Sequence, residues 1–197
     1  MQSGQDIQRH LAGAWRMMLG RADGLLLLDL SVDGFWNSFF AIVVALPALI
    51  VGWVGIANEV AGLDFGIKLS LMLRMSVADI GAWVLPLAIL AAVARPAGVA
   101  DRFVHYVVAS NWGSAIFAWM MLPPALLRLF VPQSAQLTVL ISLALFMATL
   151  VLSWRLTVVA IGKGAAVGTA VFFGMLAASL VVLLAFQSVL QLDFQGG

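Results

Sequence analysis

The fold class of this chain is decided by one uncharged stretch, GFWNSFFAIVVALPALIVGWVGIAN, residues 34–58. A helix needs about 20 mostly apolar residues to cross roughly 30 Å of hydrocarbon, and this stretch is longer than that. Because a chain inside hydrocarbon must satisfy its own backbone hydrogen bonds, the stretch is predicted to be a transmembrane helix.

Four more uncharged stretches follow, at residues 80–94, 103–127, 129–154 and 164–192. The chain is 63% hydrophobic and 10% charged, whereas soluble domains carry about 25% charged residues. We therefore predict an all-α, polytopic integral membrane protein with five transmembrane helices, in a domain over residues 35–192. The predicted spans are residues 35–57, 75–94, 103–122, 134–154 and 166–190.

The second span is the least regular of the five. Its uncharged stretch is too short to cross a bilayer, so the membrane part is predicted to begin near Met75 and to include Asp79. Residues 67–75 either extend the same helix outward or lie on the outer leaflet. In the third span, Pro123 and Pro124 are predicted to end or bend the helix and to leave residues 125–131 as an apolar turn.

Residues 1–34 are predicted to be a cytoplasmic N-terminal segment, with an amphipathic helix over residues 7–26. Its apolar side chains recur at spacings of three and four, at Ile7, Leu11, Trp15, Met18, Ala22 and Leu25. An aromatic ring flanked by cations is typical of a helix lying on a membrane surface. The predicted surface residues are Trp15, Arg9, Arg16 and Arg21. The alternative is a helix that packs against the cytoplasmic ends of the spans.

The cations of the loops and tails predict the orientation. With five spans and the N-terminus inside, seven Lys and Arg residues lie on the cytoplasmic side and three lie outside. Cytoplasmic loops carry the excess of cations, so the C-terminus, residues 193–197, is predicted to be a short external tail. The high Ala, Leu, Val and Gly content without cysteine favours the inner membrane of a bacterium.

The composition also argues against several functions. Without cysteine there is no disulfide, thiolate nucleophile or Cys-ligated metal. A net charge of +1 offers no basic patch for nucleic acid. We find no catalytic, nucleotide-binding or metal-binding motif and therefore predict a protein that is not an enzyme and has no cofactor.

Asp79 is the polar residue that stands out most within a predicted span. A carboxylate at the centre of a membrane helix costs roughly 2.5–3.5 kcal/mol and less near the end. Asp79 lies four residues inside the predicted outer boundary. It is either a proton- or cation-binding site, or else part of a structural ion pair or a carboxylate in contact with water. Arg128, predicted on the same side, is the expected partner, because Arg74 lies on another helical face.

His105 and Asn111 are the candidate polar residues of the third span. No second metal ligand stands at helical spacing from His105, so we expect a local hydrogen bond to Asp101, one turn earlier. Asn111 lies near mid-span and is expected to hold helices together rather than to bind substrate.

Small residues and tryptophans give further predictions. Gly164, Gly168, Gly174 and Ala178 follow small-x-x-x-small spacing, which predicts close helix packing within the monomer. Trp36 and Trp53 bracket the first span as interfacial belt residues do.

The layout resembles that of the Yip1-like membrane proteins. The similar segments run from Trp15-Arg16-Met17-Met18-Leu19-Gly20-Arg21 through Asp33-Gly34-Phe35-Trp36 to Pro47, and Asn111-Trp112 has a similar character. The resemblance covers the chain as an architecture and implies a non-enzymatic role in organising the membrane or binding other membrane proteins.

Two functions follow from these observations. The first is a structural or accessory protein that binds the lipid bilayer and a membrane-protein partner or a second copy of itself. The alternative is a small transporter or channel subunit, in which Asp79, Asn111 and bends at Pro47 and Pro86 line a path.

Overall fold

Helices make up the regular structure of this chain. The computed structural model describes residues 3–59, 64–131 and 135–190, and within these ranges it has no strand. The α-helices of these ranges are α1 (Gly4–Met18), α2 (Val32–Ser38), α3 (Phe40–Glu59), α4 (Phe65–Val93), α5 (Phe103–Met120), α6 (Leu122–Phe130), α7 (Ala135–Ile161) and α8 (Ala165–Val189). Short 3₁₀ helices occupy Ala22–Leu27 and Ala100–Arg102.

Five helical segments of the described chain are long and apolar enough to cross a membrane. They are Val32–Glu59, Phe65–Val93, Ala100–Phe130, Gln136–Ile161 and Ala165–Val189. This agrees with the prediction of an all-helical, multi-pass membrane protein. The first segment contains α2 and α3, and the third contains α5 and α6.

Helix α4 begins before Met75, where the membrane part of the second span is predicted to start. Helix α4 starts at Phe65, where the Asp64 side chain accepts a hydrogen bond of 2.7 Å from the backbone N–H of Ile67. Residues 67–75 therefore extend the same helix, which was one of the two alternatives. Helices α3 and α4 also run on through Pro47 and Pro86.

The proline pair opens a helix instead of leaving a turn. Pro123 and Pro124 occupy the first turn of α6, where the missing N–H groups have no intrahelical partner to lose. The fourth span also extends further than predicted, to Ile161, and ends where Gly162 adopts φ +60°. Its predicted start at residue 134 lies outside the described residues.

The N-terminal helix is shorter than predicted. Helix α1 ends at Met18, and Gly20 reverses the chain with φ +82°, a conformation that glycine adopts without strain. The following 3₁₀ helix folds back on α1 so closely that a Cβ at Gly13 would lie 2.8 Å from the carbonyl oxygen of Gly24.

Helix α1 packs against α5 and α7. Met17 and Met18 are fully buried, and the His10 ring lies 5.1 Å from the ring of Trp112. The packed-helix alternative therefore describes the buried face of α1. His10 is not among the apolar side chains that predict this helix, but the docking of α5 buries it.

Helix α5 is central to the core. Val107, Ala109, Trp112 and Ala115 are completely buried, and α5 contacts helices α1, α2, α3 and α7. By contrast, within the apolar 18-residue segment of α7 only 11% of the residues are buried, and the same fraction is buried in α8. These two helices direct most of their apolar surface outward, as lipid-facing helices do.

Candidate intramembrane site

Two adjoining cavities lie between the spanning helices. The first, of about 530 Å³, opens widely to the outside of the bundle; it is lined by residues of α3, α4, α5, α6 and α7 and includes Asp79, and we call it the Asp79 cavity. The second, of about 170 Å³, is lined by residues of α4, α5, α7 and α8 and includes Tyr106; we call it the Tyr106 cavity. The residues that line both are Ala82, Trp83, Ser114, Phe117, Leu150 and Ser153.

Asp79 contributes the charge of this site. The carboxylate is half-buried, and one of its oxygens accepts a hydrogen bond of 2.7 Å from the indole N–H of Trp53. No other residue in the lining of either cavity is acidic or basic. The Asp79 cavity therefore carries an uncompensated negative charge whenever Asp79 is ionised.

The expected pairing of Asp79 with Arg128 is wrong. Arg128 lies 3.0 Å from the carboxylate of Glu59, which ends α3 beside α6. The sequence places Glu59 outside the predicted span, so this nearer carboxylate was overlooked.

The other two cations near this end of the bundle, Lys68 and Arg74, also bind groups other than Asp79. Lys68 donates to the side-chain oxygen of Asn58 at 3.3 Å, and Arg74 donates to the backbone oxygen of Leu190 at 3.3 Å. In the part of the chain that the structure describes, no cation forms an ion pair with Asp79.

Asp79 lies deeper than the sequence indicated. Its partner Trp53 is six residues before Glu59 on α3, which corresponds to about 9 Å along the helix axis. Because α4 begins at Phe65, Asp79 is also at the middle of that helix rather than near its start. The carboxylate is therefore level with the middle of the bundle and not at its end, where the Glu59–Arg128 ion pair lies.

Asn111 has a different environment from Asp79. It is completely buried, donates to the Ser38 hydroxyl at 2.8 Å and accepts from the indole N–H of Trp83 at 2.9 Å. These bonds connect α5 to α2 and α4. Asn111 lines neither cavity, whereas Asp79 lines the larger one.

The predicted hydrogen bond between His105 and Asp101 is absent. Asp101 pairs with Lys163 at 2.8 Å, and the Nδ1 atom of His105 has no hydrogen-bond partner. The basic residue of the turn between α7 and α8 competes for the carboxylate. Among the described residues, no three His, Asp or Glu side chains are grouped as a metal site would require.

The small residues of α8 do not act as one packing face. A Cβ at Gly168 would lie 2.7 Å from the Cα of Val158, so Gly168 does allow α7 to approach. At Gly164 and Gly174 an added Cβ would meet open space, and Gly164 precedes α8 with φ +91°. Gly174 and Ala178 instead line an apolar groove of about 280 Å³ beside α4.

The predicted membrane-surface residues lie together at one end of the bundle. Trp15 is 43% exposed. Arg16 and Arg21 both pair with Asp23, at 3.2 and 2.9 Å, and Arg9 donates to the backbone oxygen of Leu26 at 3.3 Å. Exposure is compatible with a membrane surface, and contact with lipid stays a prediction.

Sequence reasoning missed Trp53 and Trp83 as site residues. Trp53 was predicted to be a belt residue, but it is only 7% exposed and holds Asp79. The signal that points to it is an intramembrane carboxylate on the next helix, because a buried indole N–H needs an acceptor.

Comparisons with protein-family models, with curated proteins and with solved structures find no match to this chain. The site therefore has to be interpreted from its own geometry, and the resemblance to Yip1-like proteins stays a prediction.

Proposed function

We propose that this protein binds a small solute in the two adjoining cavities and passes it across the membrane, as a small transporter or a channel subunit. The observation that supports this function most is Asp79, a carboxylate inside the bundle that faces a cavity and has no cationic partner in the described chain. Ionisable residues within spans are costly, and they commonly mark substrate or ion pathways.

The position of the cavities supports the same function. Met121 and Ala125 line the Asp79 cavity near the start of α6, whereas Tyr106 and Thr157 line the Tyr106 cavity near the opposite end of α5 and α7. Together the two cavities follow much of the bundle length. Helix α1 packs against α5 and α7 and so covers this end of the bundle, and its Met18 Cε lies 3.2 Å from a Cβ built at Gly113, a lining residue of the Tyr106 cavity.

We also propose that the covered end is cytoplasmic and that the membrane is the inner membrane of a bacterium. A Cβ at Gly20 would lie 3.1 Å from the Arg155 guanidinium, and Lys163 pairs with Asp101. The N-terminal segment and two cation-bearing turns thus share one end, and an excess of cations is typical of the cytoplasmic side. A cytoplasm-dependent fluorescent reporter fused to the C-terminus is expected to stay dark, and a bright fusion would contradict the orientation.

The transport function is tested in reconstituted vesicles. Wild-type protein, Asp79→Asn and Glu59→Gln are compared for the rate at which an imposed pH or cation gradient decays. We expect wild-type vesicles to exceed protein-free vesicles, Asp79→Asn to lose at least about tenfold of that excess, and Glu59→Gln to keep it. Equal rates for wild-type and Asp79→Asn would contradict the proposal.

A second candidate is the accessory role that the Yip1-like resemblance implies. The apolar groove between α4 and α8 supports it, because Gly174 leaves room there for a helix of another membrane protein. A photo-crosslinking residue at position 174 is expected to capture one stoichiometric partner or a second copy. The same residue at Leu184, an exposed position of α8, is the control. Equal, diffuse labelling at both positions would argue against a partner.

A further inference from the structure

The Asp79 cavity also has features that select a class of solute. This inference rests on the proposed function, because it concerns the ligand of the same site. The single charge in the lining is negative, so an anionic solute would gain no favourable charge interaction there. A cation would gain one at reduced dielectric, inside the bundle.

The lining is poorly suited to a bare calcium or magnesium ion. Calcium takes six to eight oxygen ligands, and magnesium demands near-ideal octahedral geometry. Asp79 offers one carboxylate, and the described residues hold no group of three His, Asp or Glu. The cavity of about 530 Å³ is within the range of roughly 300–1,000 Å³ that is usual for small organic ligands.

Three aromatic side chains, Trp53, Trp83 and Phe117, line the cavity together with Asp79. The indole N–H groups already donate to Asp79 and Asn111. These hydrogen bonds hold both rings in place, and the tryptophans can contact a ligand only through ring carbons. Aromatic ring faces attract organic cations, an interaction worth up to about 2 kcal/mol when desolvated.

From this arrangement we propose that the Asp79 cavity binds an organic ammonium ion. Asp79 neutralises its charge, and its alkyl groups contact the aromatic rings of Trp53, Trp83 and Phe117. The hydroxyl groups of Ser114 and Ser153, which also line the cavity, accept hydrogen bonds from the N–H groups of a primary ammonium ion.

Binding is measured on the whole protein in nanodiscs of zwitterionic lipid, by calorimetry and tryptophan fluorescence. The probes are butylammonium chloride and tetraethylammonium chloride, with sodium chloride and neutral pentanol as controls. We expect saturable binding of at least one ammonium probe, at least tenfold tighter than sodium or pentanol. Butylammonium binding tighter than tetraethylammonium would support the contribution of the two serine hydroxyls.

Two variants test the site itself. Asp79→Asn keeps an acceptor for Trp53 and is expected to weaken ammonium binding at least tenfold, whereas Glu59→Gln is expected to bind as wild type. Gly52→Leu, on another helix, leaves Asp79 intact and places a side chain where an added Cβ meets open space, so it is expected to block binding by filling the cavity.

Two outcomes would overturn this inference: sodium binding as tightly as the ammonium probes, or undiminished ammonium binding by both Asp79→Asn and Gly52→Leu. Asp79-dependent flux in vesicles without ammonium binding would refute the ligand class and leave the transport function standing. The absence of both flux and ammonium binding in the wild-type protein would refute the two proposals together.

Discussion

Two of the tryptophan–polar pairs that join helices of this bundle, Trp83–Asn111 and Trp53–Asp79, differ in what surrounds them. Trp83 donates to Asn111 at 2.9 Å, and Trp53 donates to Asp79 at 2.7 Å. Asn111 is fully buried and uses its other amide atom on Ser38, whereas Asp79 is half-buried and faces a cavity. Both acceptors bind an indole N–H, but only Asp79 remains accessible from a cavity. Asn111 therefore serves helix packing, whereas Asp79 is available for the proposed binding.

The largest stability difference between the two pairs is expected from removing the acceptors. Asn111→Leu leaves the Trp83 N–H without its partner in a packed core, and each unpaired buried group costs about 1–3 kcal/mol. Asp79→Asn keeps an oxygen for Trp53, so it should cost less than about 1 kcal/mol. Thermal or denaturant unfolding in detergent measures both. Equal destabilisation by the two changes would break the comparison.

Two glycines test how tightly each region is packed. A Cβ at Gly113 would lie 2.8 Å from the Leu156 Cδ1, whereas a Cβ at Gly52, in the lining of the Asp79 cavity, has no atom within 4 Å. Overpacking costs about 1–3 kcal/mol, so Gly113→Val should destabilise by that amount and Gly52→Val should stay within about 0.5 kcal/mol. The unfolding assay used for Asn111→Leu measures both. The reverse order would mean that the Asp79 cavity is filled in the folded protein.

The hydrogen bond of Trp53 is expected to contribute less than that of Trp83. Trp53→Phe keeps an aromatic ring and removes one net hydrogen bond, worth about 0.5–1.5 kcal/mol, while solvent or a ligand in the cavity can satisfy Asp79. Trp83→Phe leaves Asn111 with an unsatisfied oxygen in the core and should cost more. Unfolding free energies of the two variants give the order, and a greater loss for Trp53→Phe would contradict it.

The smallest effect is expected at the covered end, from pH. Burial is the main reason why the pKa of His10 is lowered, and Arg9 lowers it further, whereas Asp29 and Asp6 raise it. Because the unfolded imidazole has a pKa of about 6.5, the unfolded state binds the proton first as pH falls, so stability decreases below about pH 6.5 and is unaffected above it. Hydrogen exchange of α1 at pH 5.5 and 7.5 measures this, and His10→Phe should remove the difference.

The sequence predicted the five spans because each depends on a local property, the length of an uncharged run. The sequence left open whether residues 67–75 belong to the second helix, because Lys68 and Arg74 interrupt the apolar run there. Helix α4 includes both residues, and long cationic side chains near a helix end can extend toward the interface. Nothing local pairs Trp53 with Asp79 or Arg128 with Glu59. Those contacts depend on how neighbouring helices are rotated, which packing decides rather than composition.

Asn111 illustrates the same limit from the other direction. Its residue type and depth predicted an interhelical contact, and the structure has two. Its partners Ser38 and Trp83 belong to helices far apart in the chain, so the sequence could name the residue but not the network. For Asp79 the sequence predicted less of the environment. The cavity beside it forms where side chains of several helices leave space, and no single residue marks such a space.

The docking of α1 has a consequence for biosynthesis. This helix is synthesised before α7, yet part of its buried face lies against α7, which is made more than a hundred residues later. Until the fourth span has inserted, Met17 and Met18 have only part of their final packing surface. During that interval the apolar face of α1 is expected to rest on the lipid surface, with Trp15 and the neighbouring arginines toward the headgroups. The surface helix predicted from the sequence would then be the nascent form of the helix that later covers the end of the bundle.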